Sequence, residues 1–181
     1  MNATPRTAEA ARGVLKRVGY LLSELDDVPP GTPWEAKLSG TMALLRSVGH
    51  VLDKTDGSKG EPELRRAIDA HWSKLNQGKN SQDYEIFWEF IEEERNLILK
   101  EGDVRTDYIT MIPGFGAHAS AHCGGETPPG LPEKPAKARQ QYYLTEGPYH
   151  GRDPRLVIRE AIEWWENYLD AIEKDANAAP P

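Results

Sequence analysis

Residues 153–175 read DPRLVIREAIEWWENYLDAIEKD, and this stretch decides the fold class. Its apolar residues recur every three or four positions, the spacing that places side chains on one face of an α-helix. Asp153 followed by Pro154 is typical of a helix start, because aspartate caps a helix and proline fits its first turn. The pattern predicts an amphipathic helix whose apolar face packs against other helices. The residues expected on that face are Ile158, Ala161, Ile162, Trp165, Tyr168, Leu169 and Ile172.

Four segments upstream show the same spacing of apolar residues and predict four more helices. The first two also carry start signals, since Thr4-Pro5 and Thr32-Pro33 each place a capping hydroxyl before a proline. Glu35 completes the sequence form of a capping box at the second start. We therefore predict a mainly α, up-and-down bundle of about five helices. The upstream helices are expected over about residues 5–27, 32–55, 62–77 and 81–101.

Residues 104–152 differ from the rest of the chain because proline and glycine concentrate there, which excludes a long helix. Within them, residues 108–112 and 140–144 could pair as a two-stranded ribbon. Two strands are marginal alone, so the ribbon would have to lie on the helices. We predict one helical domain over residues 1–181, with this Pro/Gly-rich insertion before the last helix. Residues 176–181 are expected to form a disordered tail.

The overall composition excludes several classes of protein. The chain of 181 residues has a net charge of −7, which argues against a general binder of nucleic acids or anionic membranes. No apolar run approaches the roughly 20 residues of a spanning helix, and the polar N-terminus lacks a signal-peptide core. Cys123 is the single cysteine, which is typical of a reducing compartment. These features predict a cytoplasmic protein that binds neither membrane nor DNA, and no residue pattern indicates a cofactor.

The fourth predicted helix carries most of the excess negative charge and also the most informative short motif. Residues 81–103 contain eight acidic and two basic side chains. The two basic residues are Arg95, followed directly by Asn96, and Lys100. Asn96 and Lys100 are four residues apart and share one helix face. In one interpretation Arg95 and Lys100 are only counter-charges in an acidic helix, with Lys100 complementing the dipole near its end.

A second interpretation comes from a family resemblance. Arg95-Asn96 followed by Lys100 resembles the HEPN superfamily (higher eukaryotes and prokaryotes nucleotide-binding domains), whose hallmark is an R-x(4–6)-H motif, often R-N-x-x-x-H, late in a bundle helix. Residues 44–52, LLRSVGHVL, also look like an upstream helix of bacterial HEPN-like proteins. The resemblance implies an all-α bundle that dimerises through its motif helices. In active members it also implies metal-independent RNA cleavage, in which arginine engages phosphate and histidine assists proton transfer.

Lys100 stands where the family pattern has its histidine, and this departure argues against catalysis. A general acid or base works best with a pKa near the working pH, whereas that of free lysine is about 10.4. Carboxylates such as Glu94 would hold the lysine proton more tightly and would repel RNA. We therefore expect a non-catalytic homodimer that binds a protein partner or senses a ligand, in a bacterial defence or toxin–antitoxin context. The alternative is a metal-independent ribonuclease using Arg95 and Asn96 with either His50 or Lys100.

Further candidate binding residues lie on the second predicted helix. Arg46 and His50 are four residues apart, on the face opposite the apolar stripe. This face is either solvated or meets the fourth helix or a second subunit. In the latter case Arg46, His50, Arg95 and Asn96 would surround one polar cleft. The residues predicted to bind a ligand or partner there are Arg46, Glu94 and Arg95.

The remaining histidines and the cysteine give no strong signal. His71 falls on the apolar stripe of the third helix and is expected to be a hydrogen-bonded core residue. His118, His122 and Cys123 lie close together in the Gly-rich insertion and carry zinc-binding side chains. A structural zinc site needs four ligands and a catalytic one usually three, so these residues are weak candidates and we predict no metal.

Overall fold

A computed structural model of the chain describes residues 6–93, 96, 105–111 and 139–178. Within them the chain forms five main helices and one two-stranded sheet. This confirms the predicted mainly α fold with a small ribbon before the last helix. In chain order the helices α1 to α5 are Glu9–Glu24, Thr32–Val51, Pro62–Gln77, Ile86–Glu92 and Pro154–Ala178, and the strands β1 and β2 are Thr106–Met111 and Arg139–Leu144. Helix α4 is π-helical and follows a 3₁₀ turn, Gln82–Tyr84, where the sequence predicted a regular α-helix.

A single apolar core joins the helices, and α5 contributes its centre. Trp165 of α5 is fully buried, as predicted from its place on the apolar stripe. Its ring meets the Phe87 ring of α4 edge to face, with the centroids 5.8 Å apart. Its outer edge lies against α2, where Gly49 leaves room for it. None of the described helices combines the length and apolar character that a membrane span requires.

The start of α1 is held by carboxylates from two other parts of the chain. Asp56 accepts the Ala10 N–H at Oδ1 (3.0 Å) and the Ala11 N–H at Oδ2 (2.8 Å). Glu173 of α5 accepts the Ala8 N–H at Oε1 (2.8 Å). The first N–H groups of a helix have no acceptor within the helix, so these contacts supply what a local cap would otherwise supply.

Of the three predicted helix starts, the position is wrong for α1 and confirmed for α2 and α5, although Thr32 of α2 is not the predicted cap. α1 begins at Glu9, after the predicted Thr4-Pro5, because its acceptors come from distant residues. α2 starts without a side-chain cap: Thr32 is already helical, and the residue before it is Gly31 with a φ of +88°. The start of α5 is confirmed, since Asp153 Oδ1 accepts the N–H two residues later at 2.9 Å.

Asp56 reaches α1 because α2 does not end where the sequence predicted. The helical path continues through a π-helical turn, Leu52–Asp56, and one α-helical turn, Gly57–Lys59. A π turn holds an extra residue and so redirects the side chains that follow. Asp56 is directed into the molecule, where only 9% of its surface is exposed. The predicted end near residue 55 is therefore too early.

The ribbon lies on the helices, as predicted. β1 and β2 pair antiparallel with Tyr108 opposite Tyr142. The Tyr142 ring stacks on Trp34 of α2, with centroids 3.9 Å apart and planes within 4° of parallel. The Arg155 guanidinium of α5 lies 5.2 Å from the centroid of the same ring. Stacking and cation–π contact therefore fasten the ribbon to two helices at one residue.

The last helix extends further than expected. Helix α5 continues to Ala178, and Ala176 is fully buried. Asn177 Nδ2 donates to the backbone oxygen of Arg6 at 3.2 Å, which ties the end of α5 to the segment before α1. The prediction of a disordered tail is therefore wrong for residues 176–178, and residues 179–181 lie outside the described part of the chain.

Replacing Asp56 with alanine is expected to lower the free energy of unfolding by about 2 kcal/mol, the upper end for lost helix caps. Two N–H groups at the start of α1 would lose their acceptors. Urea unfolding followed by circular dichroism measures the loss. Asp27→Ala is the control, because Asp27 is exposed and its replacement should change stability by less than about 0.5 kcal/mol. Equal stability of the two variants would contradict the capping role.

The same carboxylate is expected to give stability a pH dependence. Burial, opposed by the two backbone hydrogen bonds and assisted by the nearby charges of Glu173 and Glu9, raises the pKa of Asp56 above its usual 3.8. The folded chain then holds this proton more tightly than the unfolded chain, so stability falls as pH rises from 3.8 through the folded pKa. Urea unfolding between pH 3.5 and 7 measures the free energy of unfolding of wild type relative to Asp56→Asn. We expect this difference to increase as the pH falls. An increase with rising pH would show instead that ionisation of Asp56 stabilises the fold.

Candidate binding cleft

A cleft of about 380 Å³ opens between α3 and the C-terminal part of α2 with its π-helical extension. This volume lies within the range of sites that hold small organic molecules, roughly 300–1,000 Å³. One wall comes from α2 and the π turn, and the other comes from α3. The lining residues are Arg46, Gly49, His50, Leu52, Asp53 and Lys54 on the first wall, and Arg65, Ile68, Asp69 and Trp72 on the second.

The spacing of the polar residues explains why they face one another. Arg46 and His50 are four residues apart on α2, and Arg65 and Asp69 are four residues apart on α3. Residues at this spacing form a ridge along one side of a helix. Since α2 and α3 belong to the same bundle, their ridges enclose a groove between them. The groove is therefore built from helical segments, including the π turn, rather than from loops.

The floor of the cleft is apolar. Leu52 and Ile68 are 2% and 3% exposed, and Gly49 contributes backbone without a side chain. Trp72 is half buried, and its ring meets the Phe87 ring edge to face with centroids 5.9 Å apart. This floor offers an aromatic face and aliphatic carbon to the apolar part of a ligand.

Arg46 connects the cleft to α4. Its Nε forms an ion pair with Glu92, and its Cζ lies 5.9 Å from the centroid of the Phe87 ring. Nη1 lies 3.7 Å from where a Cβ on Gly49 would stand, and neither Nη atom hydrogen-bonds any described residue. This face of α2 was predicted either to be solvated or to contact the fourth helix or a second subunit. Arg46 contacts the fourth helix.

His50 lies at the edge of the cleft and is exposed. Its ring makes no hydrogen bond to another described residue. The solvated alternative therefore holds for His50, although it shares the cleft with Arg46. Together the two side chains present unused hydrogen-bonding atoms next to the apolar floor.

The other charged groups of the cleft satisfy one another. Arg65 bridges the walls, donating from Nη1 to Asp53 Oδ1 at 2.7 Å and from Nε to Asp69 Oδ2 at 3.0 Å. These two carboxylates raise the pKa of Arg65, with Asp69 the larger influence. Hydrogen bonds from Lys54 and then from Arg65 hold the pKa of Asp53 below its usual value. Asp53 therefore remains ionised at neutral pH, and both acids already have hydrogen-bond partners.

The residues of the family motif are mostly outside the described part of the chain. Glu94, Arg95 and Lys100 fall among the residues that the structure does not describe. Asn96 is described as helical and half buried. The predicted grouping of Arg95 and Asn96 with Arg46 and His50 consequently stays a prediction.

The other sequence-predicted residues separate in the same way. His71 is largely buried, and its Nε2 lies 2.9 Å from Asp175 Oδ2, so the predicted hydrogen-bonded histidine is confirmed. His118, His122 and Cys123 lie outside the described residues. In residues 6–93, 96, 105–111 and 139–178, no three His, Cys, Asp or Glu side chains are grouped closely enough to hold a metal ion.

Sequence reasoning missed the whole α3 wall of the cleft. Trp72 continues the apolar spacing of its helix and is therefore typical of a core residue, and i,i+4 pairs such as Arg65–Asp69 are common on solvated helices. The useful signal was the combination of an i,i+4 charge pair with an aromatic residue one turn later. That combination indicates a binding cleft only when α2 is known to lie opposite α3.

No family model, no curated protein and no solved structure matches this chain at a significant level. The HEPN resemblance therefore depends on the quoted residues alone and stays a prediction. What the chain does has to be argued from the geometry of the cleft.

Replacing Gly49 with alanine is expected to destabilise the fold by about 1 kcal/mol. The new Cβ would lie 3.0 Å from Cη2 of the fully buried Trp165, and overpacking of this kind outweighs the gain in helix propensity. Gly40→Ala on the same helix is the matched control, because nothing lies within 4 Å of its Cβ position. It should raise stability by up to about 1 kcal/mol. Thermal unfolding of both variants tests the difference, and a stabilised Gly49→Ala variant would contradict the close packing.

Proposed function

We propose that this chain is a non-catalytic, HEPN-like module of the bacterial cytoplasm that senses a small molecule in the cleft between α2 and α3. The observation that carries the proposal is the cleft itself. It combines unused hydrogen-bonding atoms of Arg46 and His50 with an apolar floor at Trp72 and Ile68. Six of the ten lining residues are ionisable, so the cleft is more polar than most ligand sites, but it shares with them convergent polar groups beside an apolar floor.

Binding without chemistry is favoured by the state of the ionisable groups. Asp53 and Asp69 are both engaged by Arg65, and Arg46 is paired with Glu92. Among the lining residues His50 is the single histidine, the residue type that most often transfers protons in catalysis. General acid–base cleavage needs two groups that exchange protons with the substrate, and the cleft offers a single suitable one.

The resemblance extends the proposal beyond the cleft. It implies that the chain forms a homodimer through its motif helix, which would be α4 and the residues that follow. It also implies a role in bacterial defence or a toxin–antitoxin pair, with a protein as the partner. In this setting a ligand in the cleft would reach the dimer through Arg46, which already contacts α4 at Glu92.

A ribonuclease remains the second candidate, and one observation favours it. Arg46 and His50 line the same cleft, and they are the residue types that engage phosphate and move a proton in the family. Asp53 and Asp69 at the same cleft oppose it, because they would repel an RNA backbone. The first candidate is therefore preferred.

The proposal predicts that small organic molecules perturb the environment of Trp72. A panel of fragments of ten to fifteen heavy atoms would be added to the ¹⁵N-labelled chain, with the indole N–H resonances recorded and assigned through Trp72→Phe. We expect several fragments to shift the Trp72 resonance. The Trp34 resonance is the internal control and should stay in place, since Trp34 is buried under Tyr142 on another side of α2. A panel that leaves Trp72 unchanged would contradict a ligand site here.

The same protein separates the two candidates and tests the dimer. Incubation with RNA should leave the RNA intact, whereas degradation that is lost in Arg95→Ala would overturn the non-catalytic proposal. Light scattering at micromolar concentration should give the mass of two chains. A monomer at that concentration would count against the HEPN-like assignment while leaving the cleft to be judged by the fragment experiment.

A further inference from the structure

We infer that the cleft selects an organic molecule with a single negative charge, whose anionic group lies between Arg46 and His50 and whose apolar body lies on Trp72 and Ile68. This inference deepens the proposed function and rests on it. It names the ligand by charge and shape: a compact carboxylate with an aromatic or aliphatic body.

The anionic position follows from the unused atoms of Arg46. Its Nε is taken by Glu92, while its two Nη groups make no hydrogen bond to the described residues. The two oxygens of a carboxylate accept well from the paired N–H groups of a guanidinium. His50 is one helical turn away on the same wall and offers a further ring nitrogen. An anion at this point would therefore meet donors that nothing else occupies.

The limit of one charge follows from the balance of charges around the cleft. Arg46, Lys54 and Arg65 are cationic, whereas Asp53, Asp69 and Glu92 are anionic, so the surroundings are neutral when His50 is neutral. Asp53 and Asp69 are also 37% and 56% exposed, so their charges face whatever enters. A dianion or polyanion would add repulsion from these carboxylates without gaining another cation. A single charge matches the free end of Arg46.

The apolar body follows from the floor. Trp72 presents a half-buried ring that is held in place by Phe87, whereas Leu52 and Ile68 are already almost fully buried and only close the bottom of the cleft. A ligand ring or chain lying there removes from water its own apolar surface and the exposed part of the Trp72 ring, which favours binding. The volume of about 380 Å³ limits the ligand to one ring with a short chain, or a body of similar size.

The test compares three probes that differ in charge, using the full chain and isothermal titration calorimetry. The probes are 4-phenylbutyrate, its neutral analogue 4-phenylbutyramide, and 3-phenylpropyl phosphate, a dianion with the same phenylpropyl body. We expect 4-phenylbutyrate to bind at least about tenfold more tightly than either of the others. The amide lacks the charge-assisted hydrogen bonds to Arg46, and the dianion is repelled by Asp53 and Asp69.

Three variants assign the selectivity to its residues. His50→Gln should weaken binding of 4-phenylbutyrate about fivefold. Because His50 is exposed, its replacement should leave folding intact. The double variant Arg46→Gln with Glu92→Gln removes the cation without leaving an unpaired acid, and it should bind the acid and the amide equally. Lys16→Gln on the exposed side of α1 is the charge-matched control and should bind like wild type. Circular dichroism melting confirms that each variant is folded.

The outcomes distinguish this inference from the proposed function. If wild type bound the acid and the amide equally, or bound 3-phenylpropyl phosphate more tightly, the selectivity for a monoanion would be overturned while a ligand site would remain. Failure of all three probes, when other fragments still shift the Trp72 resonance, would likewise overturn the monoanion alone. Failure of the probes and of the whole fragment panel would overturn both.

Discussion

The rest of the structure depends on supplying hydrogen-bond acceptors to the first turn of α1. Its N–H groups need acceptors, and they find them in Asp56 beyond α2 and in Glu173 of α5. The π turn Leu52–Asp56 satisfies this need and, at the same time, builds the cleft. Asp56 at its end faces α1, while Leu52, Asp53 and Lys54 at its beginning line the cleft wall. One irregular turn therefore fixes both the bundle and the candidate site.

Sequence reasoning predicted the elements whose signals are local. The bounds of α3 agree with the structure, and the ribbon and the capped start of α5 were also found, because apolar spacing, alternation and an Asp-Pro pair act within a few residues. It failed at the start of α1 and the end of α2. The acceptors of Ala10 and Ala8 are 46 and 165 residues away, so no nearby residue reveals where α1 begins. The extra residue of a π turn leaves no signature in the apolar spacing.

The candidate site was only half predictable for the same reason. Arg46 and His50 stood out because both lie opposite an apolar stripe. Trp72 and Arg65 did not stand out, because each has an ordinary explanation on its own helix. Their meaning depends on which helix lies opposite, and that is a property of packing. Glu92 was read only as part of an acidic run, although its contact with Arg46 is what leaves one end of the guanidinium unused.

The ion pair between Arg46 and Glu92 has a thermodynamic consequence. Glu92 is only 25% exposed, so it depends on the guanidinium for the stability of its charge. An anion that binds the other end of the same guanidinium competes for its charge and so weakens its hold on Glu92. Ligand binding in the cleft and packing of α4 are then thermodynamically linked, so that each changes the free energy of the other by the same amount. By this linkage, binding of the proposed anion in the cleft would also change the packing of α4.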